Sequence, residues 1–114
     1  MAPLNPLHPN EAIRGLAALI GDEATREIVQ VFLEDFPESL RKISQSGHDD
    51  QLRIAHGLKT SAFHMGADAL SGLMVSIEER LSRQGEATVS AAELDTARAQ
   101  FESFAGTLRA YAKG

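Results

Sequence analysis

From residue 11 to the end of the chain, apolar residues return every three or four positions, and no stretch alternates apolar and polar residues over the length of a strand. Such a repeat turns one face of a segment inward only when the segment is wound as a helix, so the fold class is all-α. The breaks in the pattern leave one short and four long helices. Asn10 stands as N-cap of the short one, with Ile13, Leu16, Ala17 and Ile20 on one face and Gly21 as its stop. Asp22 then caps a second helix with the stripe Ile28, Val31, Phe32, Phe36, Leu40 and Ile43. Pro37 interrupts that helix, and because an interior proline costs about 3 kcal/mol, a bend or a broken hydrogen-bond ladder is expected there.

"SGHDD" makes the next turn. A third helix runs from an acidic cap at Asp49 or Asp50 to about Met65, with Leu52, Ala55, Leu58, Ala62 and Met65 inward and Gly66 as its end. The fourth begins near Ala67, carries Leu70, Leu73, Met74, Ile77 and Leu81, and stops before Gly85. Ser90 and Glu93 have the spacing of a capping box for a last helix with Leu94, Ala97, Phe101, Phe104, Leu108 and Tyr111 inward. Long amphipathic helices on short loops favour an antiparallel up-and-down four-helix bundle, here with a short N-terminal helix in front.

A chain of 114 residues is one domain with one core, read as a flexible N-terminal segment 1–9 and a bundle over 10–114. The net charge of −5 provides no basic stripe for phosphate backbones, which argues against a nucleic-acid partner and points to partners with a basic surface. Without cysteine there is neither a disulfide framework nor a thiolate metal site. No apolar run approaches the roughly 18 residues of a membrane span, and "MAPLNPLHPN" lacks the regions of a signal peptide, so a cytoplasmic location and no membrane partner are expected.

Within the third helix, "RIAHGLKTSAFHMGADAL" places His56 beside the apolar stripe and Lys59 three residues on, along the same exposed flank, with Thr60 and Phe63 continuing it. A neutral imidazole with one nitrogen open to solvent is a nucleophile, and imidazoles ordinarily titrate near 6.5, so the neutral form is plentiful at neutral pH. That is the chemistry of a phosphoryl acceptor. An ammonium at about 4 Å offsets an arriving negative charge by roughly 1 to 4 kcal/mol as the surroundings change from water to a protein surface. Phe63, on the same flank, is suited to anchor a partner.

"AHGLKTSAFHMGADAL" resembles the signature of histidine-containing phosphotransfer (HPt) domains, Ala-His-x-Leu-Lys-Gly, five residues, Gly-Ala, two residues, Leu. Ala55, His56, Leu58, Lys59, Gly66, Ala67 and Leu70 match it, and the likeness extends to "FLEDFPESL" in the second helix and to Ile77 and Glu78 in the fourth. The resemblance implies that His56 takes a phosphoryl group from a phospho-aspartate on one receiver domain, or from a sensor kinase, and passes it to another aspartate. It implies a response-regulator receiver and a hybrid sensor kinase as partners, a monomer, no resident cofactor, and Mg²⁺ held by the receiver. Lys59 then pairs with the phosphoryl oxygens, and Glu78 falls where some members have a Gln near the histidine. A carboxylate there can orient the ring by accepting its N–H, and it also repels phosphate, so both roles stand open. Thr60 replaces the usual Gly that leaves room for a receiver, and Gly57 restores some clearance. Docking is expected on the His56 face, with Lys59, Thr60 and Phe63 and with Ile13 and Leu16 of the first helix.

Two function classes follow. One is a phosphoryl carrier, not an enzyme, since the chain has no Gly-rich nucleotide loop and no catalytic-base constellation. The other is an interaction module of the same fold that docks a partner without phosphotransfer. His48, His56 and His64 recur every eight residues, but eight steps overshoot two turns by about 80°, so they do not stack into a metal site.

Overall fold

The computed structural model describes residues 8–114, and it is all-helical there: α1 (Glu11–Ile20), α2 (Asp22–Ile43), α3 (His48–His64), α4 (Asp68–Arg83) and α5 (Ala91–Ala112). Most of the flexible segment expected over 1–9 lies outside the described residues. Around the core, α3 packs on α4, α2 on both α5 and α3, and α4 on α5, while α1 lies against α2.

Caps written in the local sequence set the ends of the helices. The Asn10 side chain accepts from the Ile13 amide at 2.9 Å, and its Nδ2 donates to the Met65 carbonyl at 2.9 Å, so one residue starts α1 and ties it to the end of α3. Beside it, Gly66 turns with φ +81°, and a Cβ there would lie 2.7 Å from the Asn10 side chain. Only glycine fits both the left-handed turn and that approach. At α5 the capping box forms in full, Ser90 Oγ accepting from the Glu93 amide and the Glu93 carboxylate accepting from the Ser90 amide.

Two expected caps are displaced, by one residue at α2 and by two or three at α3. Gly21, not Asp22, is the N-cap of α2. The Asp22 carboxylate instead accepts from the Tyr111 hydroxyl at 2.6 Å and from His8 Nε2 at 2.8 Å, joining the start of α2 to the end of α5. Burial, with the Asp22 carboxylate at the hydroxyl, pushes the Tyr111 phenol up to about 12. Gly47 precedes α3, so Asp49 and Asp50 sit inside its first turn, where carboxylates favour the positive end of the helix dipole.

α2 is assigned as one helix from Asp22 to Ile43, with Pro37 on its exposed side, where it has no N–H to donate to the Leu33 carbonyl and leaves one rung of the ladder open. Its inward stripe is Thr25, Val29, Phe32, Phe36, Leu40 and Ile43. Ile28 and Val31, expected in that stripe, are 42 % and 55 % exposed. At 100° per residue they point about 75° and 135° away from the stripe's mean direction, a divergence that apolar character alone does not reveal. Ile20 is likewise exposed, and Leu16, Leu52, Leu73 and Phe104 are only partly buried. Phe32, Phe36 and Phe101 form the aromatic centre, with Phe36 stacked on Phe101 at 5.2 Å between centroids.

Position 51 holds a buried glutamine. Gln51 Nε2 donates to the Ile43 carbonyl at 2.7 Å and Oε1 accepts from the Val89 amide at 2.8 Å, which satisfies the end of α2 and the loop before α5 together.

Candidate functional site

The exposed flank of α3 faces one residue of α4 with a complementary charge. The His56 ring, 62 % exposed, donates from Nδ1 to Glu78 Oε2 at 2.6 Å. Lys59 Nζ donates to Glu78 Oε1 at 2.6 Å. Glu78 is therefore bridged by a cation and an imidazole, each taking one carboxylate oxygen. The Lys59 ammonium, with the His56 N–H, holds the Glu78 carboxyl below the usual carboxylate range, against partial burial that pushes the other way.

The supporting framework is on the backbone. Ser71 of α4, buried, donates from Oγ to the Lys59 carbonyl at 3.1 Å and joins the two helices one turn from the histidine. Thr60 Oγ1 turns back to the His56 carbonyl at 3.2 Å, so its hydroxyl is drawn onto the helix. Phe63 stands out, 65 % exposed, over a shallow depression shared with Lys59, Thr60, Ser71 and Val75.

This geometry fixes the tautomer of the ring. A carboxylate only accepts, so the proton of neutral His56 resides on Nδ1 and the lone pair on Nε2, which has no protein partner among the described residues. Nε2 is thus the ring nitrogen left with its lone pair available.

The sequence-level candidates His56, Lys59, Thr60, Phe63 and Glu78 thus meet on one surface, with Gly57 on the adjoining side of α3, while Ile13 does not join them. It is fully buried between α1 and the core and can touch no partner. The other histidines are dispersed: His48 Nδ1 meets the Ala87 carbonyl at 2.7 Å, His64 ends α3, and His8 is at Asp22. Among the described residues no group of three or more His, Asp or Glu is placed to hold a metal ion. Ser71 is the site residue that periodicity missed, because a serine beside Leu70 carries no sign that a helix backbone covers it.

Gly57 is the remaining neighbour of His56. A Cβ there would meet nothing within 4 Å. Because a mid-helix Gly costs about 1 kcal/mol relative to Ala, Gly57→Ala is expected to raise the unfolding free energy by about 0.5–1 kcal/mol in urea denaturation. No gain would mean that the open space is filled in solution.

A helical domain carrying a surface histidine, a lysine one turn on and a glycine-terminated α3 has the form of a phosphotransfer module, and the sequence comparison agrees: the chain belongs to the Hpt domain family, whose model matches residues 27–111. These are histidine phosphotransfer domains of two-component signalling. Among characterised proteins it is similar to phosphorelay protein LuxU of Vibrio vulnificus, in strains YJ016 and CMCP6, each 32 % identical over 79 residues that cover 66 % of this chain and 68 % of the relative. No solved structure gives a significant match.

Proposed function

We propose that His56 is the phosphoacceptor and that the chain carries phosphoryl groups between receiver-domain aspartates, or from a sensor kinase to a response regulator. The observation that supports this reading best is the His56–Glu78 hydrogen bond, which leaves Nε2 as the open nucleophile. The Nε2 lone pair attacks phosphorus, the bond from phosphorus to the aspartyl oxygen breaks, and the aspartate leaves as a carboxylate. The Nδ1 proton stays in place, so the ring becomes cationic as it gains the phosphoryl group, facing the Glu78 carboxylate. In the return step an aspartate of the next receiver attacks, and the ring leaves as a neutral imidazole. No proton has to be moved in either direction.

Lys59 has two roles in this scheme. It neutralises Glu78, so the carboxylate that orients the ring does not repel the incoming phosphate, and its ammonium remains one helical turn from the phosphoryl oxygens. Thr60, with its hydroxyl tied back, and Phe63 border the approach of the partner. Mg²⁺ belongs to the receiver. The carrier is an antiparallel up-and-down bundle of α2–α5, monomeric and cytoplasmic; no helix of the described residues is long and apolar enough to cross a membrane.

The test is transfer of labelled phosphate from phosphorylated receivers. Acid-labile, alkali-stable label on the chain is expected, the signature of a phosphoramidate. Absence of label across a panel of receivers, with binding retained, would replace the carrier by a docking module.

Acid provides a second check. Since the folded-state pKa of Glu78 is lowered, its contribution to stability is complete above the unfolded value near 4.5 and is lost as pH falls through the folded one. Carbon-13 NMR of the Glu78 carboxyl should show a midpoint below that of ordinary glutamates, and Lys59→Met should raise it. A midpoint unmoved by Lys59→Met would contradict the bridged geometry.

A further inference from the structure

α1 is held to the other helices by few contacts. It lies against α2 and buries Ile13 and Ala17, while Leu19 and Ile20 face solvent. Isolated helices shorter than about 12–15 residues are marginal in water. α1 has 10 residues, with Gly15 near its middle, where a glycine weakens a helix further. Its folding therefore depends on its attachments more than on its own hydrogen-bond ladder.

Those attachments sit at its two ends. At the start, Asn10 caps the helix and donates from Nδ2 to the Met65 carbonyl at 2.9 Å, with Gly66 closed against the same side chain. Two residues earlier the His8 ring, nearly buried, places Nε2 2.8 Å from Asp22 Oδ1 and tilts on Tyr111 at 5.7 Å between centroids. Asp22 is itself held by the Tyr111 hydroxyl, so the seat of His8 belongs to α2 and α5. At the other end Gly21, with φ +89°, is at once the C-cap of α1 and the N-cap of α2, and a Cβ there would meet nothing within 4 Å. A single unconfined glycine between two helices is a place where rotation of one about the other is absorbed.

We propose that residues 8–20 form a strap that opens as one unit about Gly21, latched by His8 on Asp22 and by Asn10 on the Met65 carbonyl, while α2–α5 stay folded. Opening breaks no contact of the His56–Lys59–Glu78 cluster. It does take the Asn10 amide from the Met65 carbonyl and the Asn10 side chain from Gly66, so it loosens the C-terminal end of the helix that carries His56. The strap is a conformational device laid across one end of the bundle, and it stands independently of the carrier reading.

Amide hydrogen exchange of the full chain under native conditions tests it. In the wild type the amides of residues 15–20 should exchange at least about 10-fold faster than those of Phe36 and Phe101, and with less dependence on urea. Ile43→Val, a mild loss in the core remote from α1, should speed the Phe36 and Phe101 amides by about 2- to 10-fold and leave those of α1 unchanged, because strap opening does not expose Ile43. His8→Ala should speed the α1 amides by at least about 3-fold by removing the latch. Gly15→Ala, whose Cβ meets nothing, should slow them by a common factor of about 5. If Ile43→Val speeds α1 as much as Phe36 and Phe101, α1 opens only when the whole bundle unfolds and the proposal is overturned. Unchanged α1 exchange in His8→Ala overturns the latch.

Discussion

His56→Gln is expected to take up no phosphoryl group above background from any donor while keeping its fold. Glutamine has no lone pair on nitrogen available for attack at phosphorus, so the loss is chemical and complete. The cost in stability is small, because His56 is largely exposed and gives up one hydrogen bond to Glu78, an interaction contributing on the order of 1 kcal/mol. Circular dichroism and urea denaturation therefore separate loss of function from loss of structure. The variant should still bind a receiver that charges the wild type. Residual label on it would assign the chemistry to His8, His48 or His64 and refute the assignment of His56.

The largest structural effect is expected at the aromatic centre. Phe36 is 1 % exposed and stacks on Phe101 with an interplanar angle of 7°. Phe36→Ala removes a buried ring and leaves a cavity between α2 and α5, for which losses of about 3–5 kcal/mol are typical. A domain of this size has roughly 5–15 kcal/mol in total, so the melting temperature should fall by on the order of 10–20 °C. Phe36→Leu, which retains most of the volume, should cost less than about 2 kcal/mol. A loss below about 1 kcal/mol for Phe36→Ala would mean that the rings do not pack as described. Phe36 takes no part in the His56–Lys59–Glu78 cluster, so the folded fraction of Phe36→Ala should still accept phosphate from phosphoramidate at low temperature.

What could be read from the sequence was whatever is decided within one turn of helix. Asn10, Gly66 and the Ser90–Glu93 box act on backbone groups within a few residues, so they mark helix ends without knowledge of the partner helices. Asp22, and Asp49 or Asp50, were misplaced as caps because a carboxylate is equally suited to the cap and to the first turn. Ile28 and Val31 show the limit of periodicity: both lie close in sequence to Phe32, and only the direction of the stripe, set by α5 and α3, turns them outward. Gln51 was invisible as a core residue, since its burial depends on the Ile43 carbonyl and the Val89 amide arriving from opposite sides.

The site divides in the same way. His56 and Lys59 share a flank by helix geometry alone, so their proximity was legible. Their common tie to Glu78, 22 and 19 residues away, depends on the register of α3 against α4 and required the structure. That tie changes the account of both partners. Under the proposed function, Glu78 is the acceptor that orients the ring and Lys59 the cation that neutralises this carboxylate.

The most direct measurement is long-range proton–nitrogen NMR of the histidine rings before and after phosphorylation with phosphoramidate. Before reaction, the account predicts the Nδ1–H tautomer at His56. Afterwards, phosphorus–nitrogen coupling should appear at Nε2 of His56 and at no other ring. Phosphorus on Nδ1 of His56, or on the ring of another histidine, would contradict it.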